Sequence, residues 1–345
     1  MSAKALVCHP SGGKNRLARE DVEIPALKPR DILVRVLAVA QNPTDIKSFD
    51  QNRFGDGAIL GCDFCGRVED VGKEVARFQR GDRMSGFVRG GRPGGLGAYA
   101  THTIADDGLG FVVPEGMSSE AAATLPLALA TASLALLSPH SIGMDRSKSN
   151  KNQLLIWGGS SSVGQYAIQI AKHFGFQFAT TCKNTKVVEA LGAKHIFDYS
   201  SPTVIEDVKR VMPNLTYVLD CIGSETSSAQ ASHAVCESGG ALCTIQPGRA
   251  YTENVVARVE VSDVMVFTRF FEEIKTPRFT VPKRAEDRDL CHELFRILPD
   301  LISNGSIKPN PVRVIEGGLG GVDHGFELYR AGAVSGQKLV YKLES

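Results

Sequence analysis

The chain has 345 residues, enough for two hydrophobic cores, so two domains are expected. Lysine plus arginine number 39 against 38 acids, a formal net charge of +1, which excludes a global field drawing nucleic acid or an anionic membrane and leaves small molecules as the expected partners. Eight scattered cysteines in so long a chain read as free thiols of a reducing compartment. Met1-Ser2-Ala3-Lys4-Ala5-Leu6-Val7 reads as a first strand rather than a signal peptide, and no run approaches the roughly 20 apolar residues of a membrane span. A cytoplasmic protein is the expectation.

Residues 1–105 are strand-like and rich in turns. Ile32-Leu33-Val34-Arg35-Val36-Leu37-Ala38-Val39 has the β-branched, apolar character of a sheet strand, and Gly66-Arg67-Val68-Glu69-Asp70-Val71-Gly72 is a shorter one bounded by glycines. Glycines at 81, 86, 90, 91, 94, 95 and 97 cut the following stretch into short pieces, which predicts a small β-barrel with few helices. The composition changes at Pro114. Ser118-Ser119-Glu120 can open a helix, and residues 121–137 are apolar apart from Thr124, Thr131 and Ser133, so a buried helix is predicted, kinked or divided at Pro126. Thr131 falls near a helical turn, where its hydroxyl either faces a ligand or bonds back to its own helix.

A polar loop is expected over 145–152. Beyond it the pattern alternates: strand 154–157, helix 163–174, strand 176–182, helix 185–191, strand 195–199, helix 204–211, strand 217–221, helix 227–237 and strand 241–245. Strands and helices at this spacing imply a parallel, doubly wound sheet. Residues 262–287 have no clear period; their aromatics suit packing better than an apolar substrate pocket. A helix over 286–303 ends at Asn304-Gly305, and a last strand covers 338–343.

The strand at 154–157 runs into Gly158-Gly159-Ser160-Ser161-Ser162-Val163-Gly164 and then directly into a helix. Small residues let a backbone approach a pyrophosphate at a helix N-terminus. A full dinucleotide fingerprint reads Gly-x-Gly-x-x-Gly; here Gly159 and Gly164 keep the outer positions and serine takes the middle one. The strand before and the helix after supply the context that the motif needs. An NAD site usually places an acid about 20 residues on, to accept from the ribose hydroxyls. That position reads Thr181-Cys182-Lys183-Asn184-Thr185-Lys186, with no carboxylate before Glu189. Lys183 and Lys186 suit a 2′-phosphate, so NADPH is the expected cofactor; the alternative is that both are solvated surface lysines.

The residues Asn42-Pro43-Thr44-Asp45, Gly61-Cys62-Asp63-Phe64-Cys65-Gly66, Val71-Gly72, Gly81-Asp82-Arg83, Gly97-Ala98-Tyr99-Ala100, Thr131-Ala132 and the serine-rich loop resemble the medium-chain dehydrogenase/reductase superfamily over essentially the whole chain. The resemblance implies an α/β architecture: a GroES-like β-barrel from residues 1–124 and 284–345, and a Rossmann doubly wound parallel sheet from 125–283. It also implies that the last strand returns to the barrel. Zinc members of the superfamily carry a cysteine near Asn42 and a His-Glu pair at Cys62-Asp63. The four-cysteine structural zinc lobe has no counterpart, since no cysteine lies between 65 and 182. A zinc-free enzyme is therefore expected, with no metal site. Cys62-x-x-Cys65 precedes a strand rather than a helix, so packing is favoured over redox use.

Among zinc-free members, the run from Asn42 to Lys47, with residues 61–64, 121–125 and 220–222, looks most like fungal trans-acting enoyl reductases, with quinone oxidoreductases as further kin. The resemblance implies that Lys47 and Thr131 lie at the active site. The expected reaction is NADPH-dependent reduction of an activated C=C bond in a small-molecule or carrier-bound unsaturated carbonyl, with a polyketide synthase as a candidate partner. Lys47, Thr131 and Asn42 are the candidate catalytic residues. Gly159, Ser160, Ser161, Ser162, Val163 and Gly164 are expected to hold the pyrophosphate, and Lys183, Lys186 and Tyr199 the adenosine phosphate. Cys221, Ile222, Gly223 and Ile245 are expected near the nicotinamide half, because ligands bind beyond the carboxyl ends of parallel strands. Water is the expected donor for protonation of the α-carbon. A quinone reductase is the alternative enzyme and a non-catalytic NADPH-binding protein the alternative of another class. Either a monomer or a homodimer fits the sequence.

Overall fold

A computed structural model describes residues 1–12, 14–92, 94–147 and 153–343. Contacts divide it into two units, Met1–Leu127 with Phe295–Ser303 and Lys308–Ser345, and Ala128–Leu294 with Asn304–Ile307.

The first unit opens with β1 (Ser2–Ser11) and β2 (Lys14–Glu23), an antiparallel pair extended by β4 (Ala58–Ile59). Its larger sheet is built on β3 (Asp31–Ala40), which pairs with β5 (Asp63–Val71) and with β7 (His102–Asp106); β6 (Arg83–Phe87) and β8 (Gly110–Val112) continue from β5. The irregular β3–β5 register, shifting between Leu33 and Val34 and again between Val36 and Ala38, curves the sheet as bulges do. Its interior holds Phe64, Phe326, Tyr99 and Tyr341, all fully buried; burial of one such ring is worth about 2–3 kcal/mol. A helix that the turn-rich sequence does not announce, α1 (Pro43–Asp50), follows β3. Asn42 is its N-cap and Pro43 occupies the first turn, where a missing N–H costs nothing.

The apolar stretch after Pro114 is divided at the proline, as expected. Helix α2 (Ser119–Ala123) is capped by Ser118 Oγ, which accepts from the Ala121 N–H at 3.1 Å, and α3 (Pro126–Leu137) begins at Pro126. Residues 119–137 are apolar and long enough to cross a membrane by composition, but 83% of that window is buried inside the protein, as in a core helix.

The second unit carries a six-stranded parallel sheet in the order β11-β10-β9-β12-β13-β14. Its elements are β9 (Gln153–Trp157), α4 (Ser162–His173), β10 (Gln177–Thr181), α5 (Thr185–Ala190), β11 (Ile196–Phe197), α6 (Val204–Val211), β12 (Tyr217–Asp220), α7 (Ser227–Ser232), β13 (Gly240–Thr244) and β14 (Val259–Asp263). The strand order reverses between β9 and β12, which makes their carboxyl ends the switch point of a doubly wound fold. Leu155, Val218, Leu242, Val204 and Val208 form its core. Helix α6 shows the local logic: Val204 and Val208 share the buried face one turn apart, while Glu206 and Asp207 stand at the start and Lys209 and Arg210 at the end, matching the helix dipole. The predicted helix 227–237 is shorter, ending at Ser232. Of the predicted loop 145–152, residues 148–152 lie outside the described residues.

The poorly patterned region begins at the end of β14 and continues through a short 3-10 helix over Val266–Phe270 and an antiparallel pair, β15 (Ile274–Lys275) with β16 (Thr280–Val281). Met265, Phe267, Ile274, Phe279 and Val281 pack together there, while Phe271 is 40% exposed, so packing accounts for some of these aromatics and not all. Helix α8 (Ala285–Ser303), β17 (Val312–Ile315), α9 (Val322–Arg330) and β18 (Lys338–Lys342) complete the chain. Strand β18 pairs antiparallel with β3, so the chain end does return to the first unit's sheet.

Candidate functional site

In the second unit, β9 ends at Trp157 and the chain turns at Gly158, whose φ of +88° suits glycine alone at low cost. Neighbouring β10 ties down the turn: the Gly158 N–H donates to Thr181 Oγ1 at 3.0 Å, and the Gly159 N–H to the Thr181 carbonyl at 2.9 Å. Ser161 caps α4, its Oγ accepting from the Gly164 N–H at 3.1 Å. Gly164 packs directly against the turn; a Cβ there would strike the Gly158 carbonyl and lie 2.7 Å from Gly159 Cα. Ser160, Ser161, Ser162 and Val163 are half-buried along the same turn. A helix start leaves N–H groups without intrahelical acceptors and carries positive partial charge, so the turn suits a pyrophosphate.

The ends of β12 and β13 are joined by Asp220, which the sequence offers only as part of the run 220–222 and without a role. Asp220 is fully buried, and its Oδ1 accepts from the Ile222 and Gly223 N–H groups at 2.9 and 3.1 Å. Its Oδ2 accepts from the hydroxyls of Ser227 and Ser228 at 2.6 and 2.7 Å. One carboxylate thus shapes the whole turn at 221–223. Gln246 Nε2 donates to the Gly223 carbonyl at 2.9 Å, and the Ile245 N–H donates to the Asp220 carbonyl at 3.1 Å. Ile222 lies against Gly158, and its side chain is 46% exposed. Burial pushes the Cys221 thiol well above its usual range, so it stays protonated. The signal that could have found Asp220 is a lone acid closing an apolar strand.

At the end of β10, Lys183 and Lys186 are exposed. Lys183 Nζ lies 5.2 Å from the centre of the Tyr199 ring, a cation–π contact. Asp198 is held below the usual carboxylate range by the Ser200 hydroxyl and N–H, with the Lys183 charge as a further cause. The structure therefore brings Lys183 and Tyr199 together, and Lys186 lies on the first turn of α5. Thr131 is buried on α3 at 8% exposure.

The first unit holds the remaining candidates. Lys47 projects from α1 at the surface; partial burial, then the neighbouring Arg53, hold its ammonium below the usual lysine range. Asn42 is buried, and its Nδ2 donates to Asp63 Oδ2 at 2.9 Å and to the Ala40 carbonyl at 3.3 Å. Asp63 is fully buried against Lys338 Nζ at 2.6 Å, a pair that neither residue's sequence context announces. Cys62 and Cys65 are buried and unpaired; burial pushes Cys62 well above the usual thiol range and Cys65 up to about 11.

Asp45 completes the start of α1, accepting from the Asn42 N–H at 2.8 Å, and burial pushes its carboxyl up to about 7 from an ordinary 3.8. Between those values the folded state holds a proton that the unfolded state has released. Stability should therefore fall as pH rises from about 4 to 7, by about 1.4 kcal/mol per pH unit at most. Asp45→Asn, which keeps an acceptor for the Asn42 N–H, should flatten that dependence and raise the melting temperature at pH 8 relative to wild type. Denaturation across this pH range checks it; an unchanged slope would contradict the assignment.

Two family models match the chain: an alcohol dehydrogenase GroES-like domain over residues 28–121 and a zinc-binding dehydrogenase over residues 162–269. A trans-enoyl reductase of Gibberella fujikuroi is 34% identical over 351 residues, covering 99% of this chain and 100% of the relative. The enoyl reductase component of lovastatin nonaketide synthase from Aspergillus terreus is 32% identical over 332 residues, covering 92% of this chain and 90% of the relative. The chain belongs to the medium-chain dehydrogenase/reductase superfamily. The crystal structure of a putative zinc-dependent alcohol dehydrogenase from Rhizobium etli shares the fold of this superfamily member, with a TM-score of 0.82, 23% identity and coverage of 100% of this chain and 99% of that one. The superfamily supplies the barrel-plus-Rossmann architecture expected from the sequence and a nicotinamide dinucleotide as cofactor, for which the glycine turn and capped α4 fit a pyrophosphate.

The second family description implies zinc, which needs deprotonated ligands from three or more residues. Asn42 offers an amide already donating to Asp63, and Asp63 is committed to an ammonium, which leaves Cys62 short of the partners a three-ligand site needs. These residues do not fit the ion. Among the described residues no group of three or more His, Cys, Asp and Glu stands together as a ligand set.

Proposed function

We propose that this protein is an NADPH-dependent, zinc-independent reductase of activated carbon–carbon double bonds, acting on enoyl thioesters or enones. The observation that carries the reading is the similarity to trans-enoyl reductases along almost the whole chain, at 34% identity over 99% of its length. When bound, NADPH supplies a hydride for the β-carbon of the unsaturated carbonyl. The residues Gly159, Ser160, Ser161, Ser162, Val163 and Gly164 hold the pyrophosphate. Asp220 sets the turn formed by Cys221, Ile222 and Gly223, which with Ile245 faces the nicotinamide half. Lys47 and Thr131 donate hydrogen bonds to the enolate oxygen as its charge develops, the role a metal would otherwise take. Asn42 holds the start of the helix from which Lys47 projects.

Lys183, supported by Tyr199, meets the 2′-phosphate, with Lys186 nearby in sequence. Lys183→Ala should lower kcat/KM for NADPH about tenfold and leave that for NADH unchanged, a modest figure because the ammonium is exposed to solvent. The ratio of the two constants checks this, and a wild-type preference for NADH would contradict it. The finer form of the reading is a trans-acting enzyme working with a polyketide synthase in the cytoplasm. The Aspergillus terreus relative, named as the enoyl reductase component of a synthase, supports it. Assay of NADPH oxidation with enoyl thioesters, enones and quinones tests the reaction; oxidation with quinones alone would contradict it.

A further inference from the structure

We propose that Asp63 is the positioning residue from which both helices bearing the candidate donors start, an inference that rests on the reading of Lys47 and Thr131 given above. The carboxylate is fully buried and spends both oxygens. Oδ1 accepts from the Leu127 N–H at 2.7 Å, and Oδ2 from Asn42 Nδ2 at 2.9 Å and Lys338 Nζ at 2.6 Å. Asn42 is the N-cap of α1, which carries Lys47. Leu127 is the second residue of α3, which carries Thr131 and has no acid in its own first turn. Asp63 therefore caps α3 from outside, where a negative charge is favoured by the helix dipole. Lys338, 3% exposed, comes from β18 and also donates to the Thr124 carbonyl at 3.4 Å, at the junction between α2 and α3.

A buried ion pair is weak as a source of stability, because desolvation offsets most of the attraction and an apolar pair of similar size often serves as well. What an apolar pair cannot do is direct three hydrogen bonds from one point. The geometry assigns that work to Asp63, with Lys338 as its counter-charge: three segments distant in sequence are fixed to a single carboxylate. A displacement of about 1 Å in the groups that act on a substrate costs about a hundredfold in rate.

The test compares wild type, Asp63→Glu, Lys338→Arg and the double variant Asp63→Asn/Lys338→Met. Three readouts are taken: kcat with an enoyl thioester, NADPH affinity from quenching of Trp157, the single tryptophan, and hydrogen exchange at the Leu127 amide. The double variant removes both charges at once and should melt near wild type, yet lose about a hundredfold in kcat with NADPH affinity within about twofold, and exchange Leu127 about tenfold faster. Asp63→Glu keeps the charge but lengthens the arm, and should show the same split if the double variant does not fold. Lys338→Arg keeps the pair and should retain most of kcat. Wild-type kcat and Leu127 protection in both Asp63 variants would overturn the proposal, as would a loss of NADPH affinity in step with kcat. If wild type itself turns over no enoyl thioester, the functional reading fails, while Leu127 exchange still decides whether Asp63 anchors α3.

Discussion

Lys47→Ala should lower turnover of an enoyl thioester or enone by about a hundredfold while leaving NADPH affinity unchanged. The size follows from removing one preorganised donor to a developing oxyanion, typically worth about 10²–10³ in kcat. Lys47 suits that role because partial burial holds its ammonium below the usual lysine range while the side chain stays open at the surface of the barrel unit. Lys47 stands on α1, whereas the turn proposed to hold the pyrophosphate is built from β9 and α4. Steady-state kinetics and titration of Trp157 fluorescence give the two readouts. Unchanged turnover would remove Lys47 from the mechanism, and parallel loss of NADPH affinity would make it a cofactor residue instead.

Gly164→Val should abolish NADPH binding and destabilise the protein by about 3 kcal/mol, at the upper end of what overpacking costs. The added Cβ would meet backbone, the Gly158 carbonyl and Gly159 Cα, rather than the movable end of a side chain. Relief requires α4 to retreat from the turn, which would take its first N–H groups away from the pyrophosphate. Isothermal titration with NADPH, alongside a melt, tests both effects. A variant that binds NADPH normally would show that the helix can retreat without affecting the site.

The Rossmann unit was legible because its strands are short apolar runs and its helices keep a period, as Val204 and Val208 show in α6. Among the elements that were not are α1 and β14. Helix α1 has eight residues, begins with proline and buries Ile46 and Phe49 within a single turn, too short a pattern to register. Strand β14 forms the end of the sheet order, and its polar Glu260, Ser262 and Asp263 leave too little of a strand pattern to register. Among the candidate site residues, the glycine turn stands out in the sequence because close backbone approach selects residue type directly, and Lys183 because its charge falls where an acid is usual. Asp220 and the Asp63–Lys338 pair do not, since what they do depends on partners distant in the chain. Asp63 meets Asn42, Leu127 and Lys338 only after folding. A lysine at the start of an apolar strand carries no mark of its burial.

Hydride transfer from NADPH to carbon leaves an isotopic mark on the product. Incubation with NADPH deuterated at the transferable position and an enoyl thioester should give the saturated thioester with one deuterium at the β-carbon, in proportion to NADPH consumed. NADPH oxidation without deuterium in that product, or none unless a quinone is supplied, would contradict the account.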